Sequence, residues 1–175
     1  MPFVWHDLDA VTRPLIRQEI ERDISLDADW KSPRLVPGGQ ADFRTAMLAS
    51  SGTGNEVTLA AAIREGGMLR AREFRKTKHG QVEAAVPVTA AETLAEGEFN
   101  RYYIRALCLR AMNENRSLIV VRGKPVSDPR PESVAKLGTQ VPSEALLEDL
   151  RTGKRVDEAF ELPSGPNSGL SVRLE

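Results

Sequence analysis

Residues 96–115, EGEFNRYYIRALCLRAMNEN, constrain this chain more than any other stretch. Set at about 100° per residue, Phe99, Tyr103, Leu107, Ala111, Ile104 and Cys108 fall within one continuous half of a helix. Ala106, Tyr102 and Leu109 widen that half further. A helix apolar over most of its circumference is packed on by several neighbours, so the fold has to be built around this one. Glu98, Arg101 and Arg105 gather in a narrow stripe, read as a modest exposed charge face with an ion pair between Glu98 and Arg101. Asn100 and Arg110 lie inside the apolar arc and need partners if buried. The helix is expected to start near Ala90, where Thr89 and Glu92 spell a capping box, and to end around Asn113–Asn115. Gly97 would be a break or a close packing point.

The other elements follow from periodicity and punctuation. Leu8, Val11, Leu15, Ile16, Ile20 and Ile24 recur at helical spacing. Pro14 has no N–H to give a helix interior, so that helix either starts near Thr12, capped by it, or bends there. A long loop with Pro33, Pro37 and Gly38-Gly39 follows. Two shorter helices are expected: one over 40–50, burying Phe43, Met47 and Leu48, and one capped by Asn55 and stopped by Gly66-Gly67. Residues 68–86 read as a hairpin about His79-Gly80. SLIVVRG, 117–123, is the clearest buried strand, and the proline-rich segment after it reads as an irregular crossing. A short helix begins beside Pro142, and Gly153 lies past its end. LPSGPNSG reads as loop and LSVRL as a terminal strand beside 117–123. The expected fold class is therefore α+β. About five helices pack on one small, mainly antiparallel sheet of strands near 69–77, 81–86, 117–122 and 170–174, with an irregular N-terminal arm and long loops. Residues 1–40 form the N-terminal helix and arm, residues 41–175 the main domain, and the two together one folding unit.

Composition limits the class. The 175 residues are 41% hydrophobic and 28% charged, ordinary for a globular chain that buries a real core. No window reads as a membrane span, and the N-terminus has neither the basic start nor the apolar run of a secretion signal. One cysteine excludes an intrachain disulfide and fits a reducing compartment, so the expected location is the cytoplasm or a particle assembled in it.

Catalytic patterns are looked for and not found. His6 and His79 are far apart, Cys108 stands alone, and no CxxC or HExxH occurs, so no zinc site and no cofactor is expected, while a carboxylate-bound magnesium site, which follows no strict spacing, stays open. Cys108, mid-helix on the apolar half, reads as a small inert hydrophobe. Gly165-Pro-Asn-Ser168-Gly169 has the wrong spacing for a nucleophile elbow. Ser50-Ser-Gly-Thr-Gly-Asn55 lacks the lysine and glycine spacing of a phosphate-binding loop and reads as a helix connection. No catalytic residue is assigned.

Charge is more informative. The formal net charge is −1, yet residues 1–30 carry seven acids against three bases, residues 66–80 five bases against one acid, and residues 143–161 six acids against three bases. This acidic, basic, acidic order suits an anionic partner or a second copy of the same chain. Candidate contact residues are Arg70, Arg72, Arg75, Lys76 and Lys78, with a second group of Arg122, Lys124, Arg130 and Lys136. Phe74 is the one aromatic among the first group, fewer than base stacking usually needs. Phe3, Trp5 and Trp30 lie in an apolar terminus and a proline-flanked loop, and are expected at an intersubunit or partner interface, the alternative being that both tryptophans fold back onto their own core.

AETLAEGEFNRYYIRALCLRA, VRGKPVSDPRPESVAKLGT and GPNSGLSVRL together resemble a group of uncharacterised bacterial and phage or prophage proteins encoded among virion structural genes. The resemblance covers roughly the C-terminal half and carries no catalytic motif or ligand. It implies a particle-associated role. The expected function is a non-enzymatic structural or assembly protein, head- or connector-associated in a phage-like particle, with itself and other particle proteins as partners. The alternative is a nucleic-acid-binding or nucleic-acid-processing protein that uses the basic segments 70–78 and 122–136.

Overall fold

The computed structural model describes residues 2–163 and 168–175. The long helix, Ala90–Glu114, is the axis of the structure. Running along the chain, α1 is Thr12–Ser25, α2 Gly39–Thr53, α3 Glu56–Glu65, β1 Arg72–Thr77, β2 Gly80–Ala85, α4 the axial helix and β3 Leu118–Arg122. Then come α5 Pro131–Ala135, β4 Gln140–Val141, α6 Ser143–Arg151, α7 Val156–Ala159 and β5 Leu170–Leu174. The fold is α+β. Phe99, Tyr103, Ile104, Leu107, Cys108 and Ala111 of α4 are buried in one cluster with residues of α1, α2, α3, α6, β3 and β5. The N-terminal helix thus shares the core of the rest of the chain. Burial pushes the Cys108 thiol up to about 12, which makes it a poor nucleophile.

Helix starts are set by local hydrogen bonding. Asn55 caps α3 by accepting from Val57 N and Thr58 N, and Thr58 Oγ1 returns a contact to Asn55 N. Helix α1 begins at Thr12 as one of the two expectations had it, but the cap is not Thr12. Asp9 Oδ1 accepts from Val11 N (3.0 Å) and Thr12 N (2.9 Å), which places Pro14 in the first turn where its missing N–H costs nothing. The expected capping box of α4 does not form. Thr89 sits near the helical region (φ −90°, ψ 8°) rather than in extended backbone, so its side chain makes no cap bond, and Glu92 turns instead to Arg64 of α3. Asn115, in the left-handed region at φ 53°, ends the helix.

The expected single sheet is two separate sheets. Strand β3 lies between β4 and β5, antiparallel to both, with Leu118 opposite Leu174 and Arg122 opposite Leu170. Among the described residues, strands β1 and β2 pair only with each other. The physical reason is visible in their sequence: REFRKT and GQVEAA offer no apolar face to bury against a core, whereas LIVVR and LSVRL do. Two helices lie beyond the expected five: α5 is a short piece inside the proline-rich segment read as irregular, and α7 is a single turn where no element was expected. Gly97 does not break α4.

The charged stripe on α4 is not an exposed face. Arg105 is fully buried and Arg101 nearly so, because α1 lies against this side and brings acids to it. Arg105 donates to Glu19 (2.7 Å) and in a bidentate manner to Asp23 (2.6 and 2.9 Å), while Arg151 of α6 donates to the other side of Glu19. Tyr102 Oη donates to Asp23 at 3.0 Å. Burial works against ionisation of Glu19 and Asp23, but the guanidinium bonds outweigh it and hold both carboxyls below their ordinary range. Asn100 and Arg110 are satisfied structural polar residues. Asn100 donates to Leu170 O and accepts from Ser171 Oγ, tying α4 to β5, and Arg110 bonds to Asp9, Thr12 and Glu114.

Candidate functional site

Two features remain once the core is accounted for: the β1–β2 ribbon and a groove beside it. On the ribbon, residues alternate between faces. Arg72, Phe74, Lys76, Gln81, Glu83 and Ala85 share the outer face and all are exposed. Glu73 and Ala84, opposite each other on the inner face, are half-buried, and Glu73 accepts two bonds from Arg34. That contact, with a second from Arg75, holds the Glu73 carboxyl below the ordinary range. Phe74 is 73% exposed at the middle of the outer face. Glu83 stands directly across from it.

The groove is a depression of about 600 Å³ whose walls include Trp30, Pro33, Leu94 and Val156, with Gly97 and Arg101 of α4 among its lining. Glu73 at the base of the ribbon also lines it, as do Asp157 and Glu158 on the opposite side. A Cβ added at Gly97 would meet nothing within 4 Å, so the glycine holds open space over α4 rather than serving close packing. A mid-helix glycine costs about 1 kcal/mol relative to alanine, and here no packing contact explains it. Arg101 donates through Nη2 to Glu98 at 2.7 Å, yet its buried Nε–H has no acceptor among the described residues. Burial pushes the Glu98 carboxyl up, with Arg101 pulling against it.

The sequence-predicted site residues divide sharply. Arg70 donates to Leu35 O (2.9 Å), Arg72 pairs with Glu83 (3.2 Å) and Arg75 with Glu73 (2.9 Å). Lys76 and Lys78 are exposed. The second basic group is engaged within the chain. Arg122 donates to Ser168 O and Ser133 Oγ, Lys124 pairs with Glu96, Arg130 with Asp157, and Lys136 with Glu161. The first group lies on and beside the β1–β2 ribbon, the second at the end of β3 and in the segment after it, and they do not form one basic surface of uncommitted side chains. Phe3 and Trp5, expected at an interface, turn inward. Their rings stack at 4.7 Å, Trp5 packs edge-on to Phe99 and Tyr103, and Glu56 accepts from Phe3 N (2.8 Å) and Trp5 Nε1 (2.7 Å). A buried carboxylate able to take both donors is what lets an apolar terminus dock on its own chain. Trp30 is 49% exposed at the groove wall.

Among the described residues, no three or more His, Cys, Asp or Glu side chains stand where they could share a metal ion, and no helix is long and apolar enough to cross a membrane. Of the Gly165–Gly169 segment, residues 165–167 lie outside the described residues, as does half of the LPSGPNSG loop. Ser168 is buried and donates to Asp157. The Ser50–Asn55 segment closes α2 and caps α3, with Arg13 donating to Ser51 O and Gly54 O. Gly54 is required there, since a Cβ would lie 2.1 Å from Thr58 Oγ1.

No protein-family model, curated protein or solved structure matches the chain.

Proposed function

We propose that this protein is a non-enzymatic structural or assembly component that acts through protein–protein contacts, first of all with further copies of itself, in a phage-like particle. The observation that carries this reading is the β1–β2 ribbon, open to solvent on its outer face with Phe74 73% exposed between Arg72 and Lys76. A two-stranded hairpin without a third strand or a covering helix is marginally stable in water. Charged side chains on a strand edge are an ordinary defence against unwanted pairing. A large exposed aromatic at the centre of such a ribbon is the opposite of a defence, and aromatics of this kind anchor interfaces. The charge order along the chain fits the same reading, with a basic ribbon able to meet the acidic surface of a neighbouring copy. The resemblance of the C-terminal half to proteins encoded among virion structural genes supports a particle as the setting.

The alternative draws on the exposed Lys76 and Lys78, which would suit a phosphate backbone. One variant separates the two. Changing Arg72, Arg75 and Lys76 together to Glu should leave the chain folded, because exposed ion pairs add little to stability. Sedimentation velocity should show the assemblies of the wild-type chain reduced to single copies. If the assemblies persist and only retention on DNA or RNA is lost, the ribbon serves nucleic acid and the assembly reading fails.

A further inference from the structure

We propose that the groove beside the ribbon is the receptor for the ribbon of the next copy: Phe74 fills it, the neighbouring Glu83 carboxylate meets the Arg101 Nε–H that has no acceptor among the described residues, and copies join head to tail. The inference rests on the assembly reading above and names its partner and its socket.

Three observations converge on this occupant. The first is chemical fit. The groove joins apolar walls, Trp30, Leu94 and Val156, to a buried guanidinium N–H without an acceptor among the described residues. A buried donor left without an acceptor is costly, and in native structures such groups nearly always find one. The ribbon offers the matching pair, since Phe74 and Glu83 face each other across the two strands on one surface. The second is charge. Arg72 and Lys76 flank Phe74 on that surface, and the groove carries Glu73, Glu98, Asp157 and Glu158 against Arg34, Arg101 and Arg155, a small acidic excess. The third is the space above Gly97, where the backbone of α4 is bare and an incoming ring can approach it closely.

The pleat decides who supplies the ring. Glu73 lines the groove of its own chain, and consecutive strand residues point to opposite faces, so Phe74 points away from that groove. The ribbon of a chain cannot fill that chain's own socket. Plug and socket on opposite sides of one ribbon make a heterologous contact, which closes into a ring or continues as a filament.

Gly97→Leu and Phe74→Ala test this as a pair. Gly97→Leu blocks the socket without harming the fold, because its Cβ enters open space and leucine is the better helix former. Phe74→Ala removes an exposed side chain. Each variant alone should sediment as a single copy, its self-association weakened by about tenfold or more. Mixed in equal amounts, they should form a heterodimer and stop there, since the intact plug of the Gly97→Leu chain finds the intact socket of the Phe74→Ala chain and neither can extend. Recovery of that heterodimer, lost again when the socket partner also carries Arg101→Lys, supports the proposal. If Phe74→Ala dissociates the assembly and Gly97→Leu does not, the ribbon docks elsewhere: the groove proposal is overturned and the assembly reading stands. If wild-type chains stop at a dimer, the head-to-tail geometry is wrong. If they never associate, both readings fail.

Discussion

Replacing Arg105 by alanine is expected to destabilise the fold by about 3–5 kcal/mol at neutral pH, the cost of removing one partner from a buried ion pair. Arg105 is fully buried, and among the described residues it is the one cation that pairs with both Glu19 and Asp23. Arg151 still neutralises Glu19 in the variant, so the damage concentrates on Asp23. Arg22, itself partly exposed, is the only other cation paired with that carboxylate among the described residues. For a chain of this length a loss of that size lowers Tm by roughly 10 °C. The pH dependence identifies the cause. In the wild type, Glu19 and Asp23 are held below their ordinary values, so their contribution is fully present above those ordinary values and is lost as pH falls through the depressed ones. In the variant, burial acts on Asp23 without its main counter-charge, and stability is lost as pH rises through a raised value. The gap between wild type and variant should therefore be widest near neutrality and narrow in acid. Denaturant titrations at pH 7 and pH 4 measure it. A gap that is small at pH 7, or unchanged between the two, would mean that the ion cluster is not what Arg105 contributes.

Leu107→Ala should cost about 2–5 kcal/mol, because the side chain is fully buried in the middle of α4 and its removal leaves a cavity that surrounding elements refill only in part. Leu107→Met, which conserves volume, should cost less than about 1.5 kcal/mol. Matching losses in the two variants would argue against tight packing about the axial helix.

How much of this could be read from the chain varies residue by residue. The buried half of α4, the Asn55 cap, the pairing of LSVRL with SLIVVRG and the inert Cys108 all follow from local pattern, and the structure bears each of them out. The stripe of Glu98, Arg101 and Arg105 shows the limit of such reading. Spacing tells which residues share a face but not what covers it, and charge alone suggested water. The correcting signal was nevertheless present. Glu19 and Asp23 stand at i+3 and i+7 from Ile16, within the buried stripe of α1, and acids placed there demand a buried cation. Phe3 and Trp5 dock on Glu56, some fifty residues away, and no local pattern records that contact. The groove is equally hidden, since Trp30, Gly97, Arg101 and Val156 meet only in the folded chain. Gly97 was legible as an oddity of α4 but not as the floor of an open space.

The most direct measurement of the central claim is the mass of the wild-type chain in solution, by light scattering over a dilution series. A single copy is 19.3 kDa. Assembly through the ribbon predicts a mass above that of two copies at high concentration, falling towards 19.3 kDa on dilution and absent in the Phe74→Ala variant. A mass of 19.3 kDa at every concentration, for a folded wild-type sample, would contradict it.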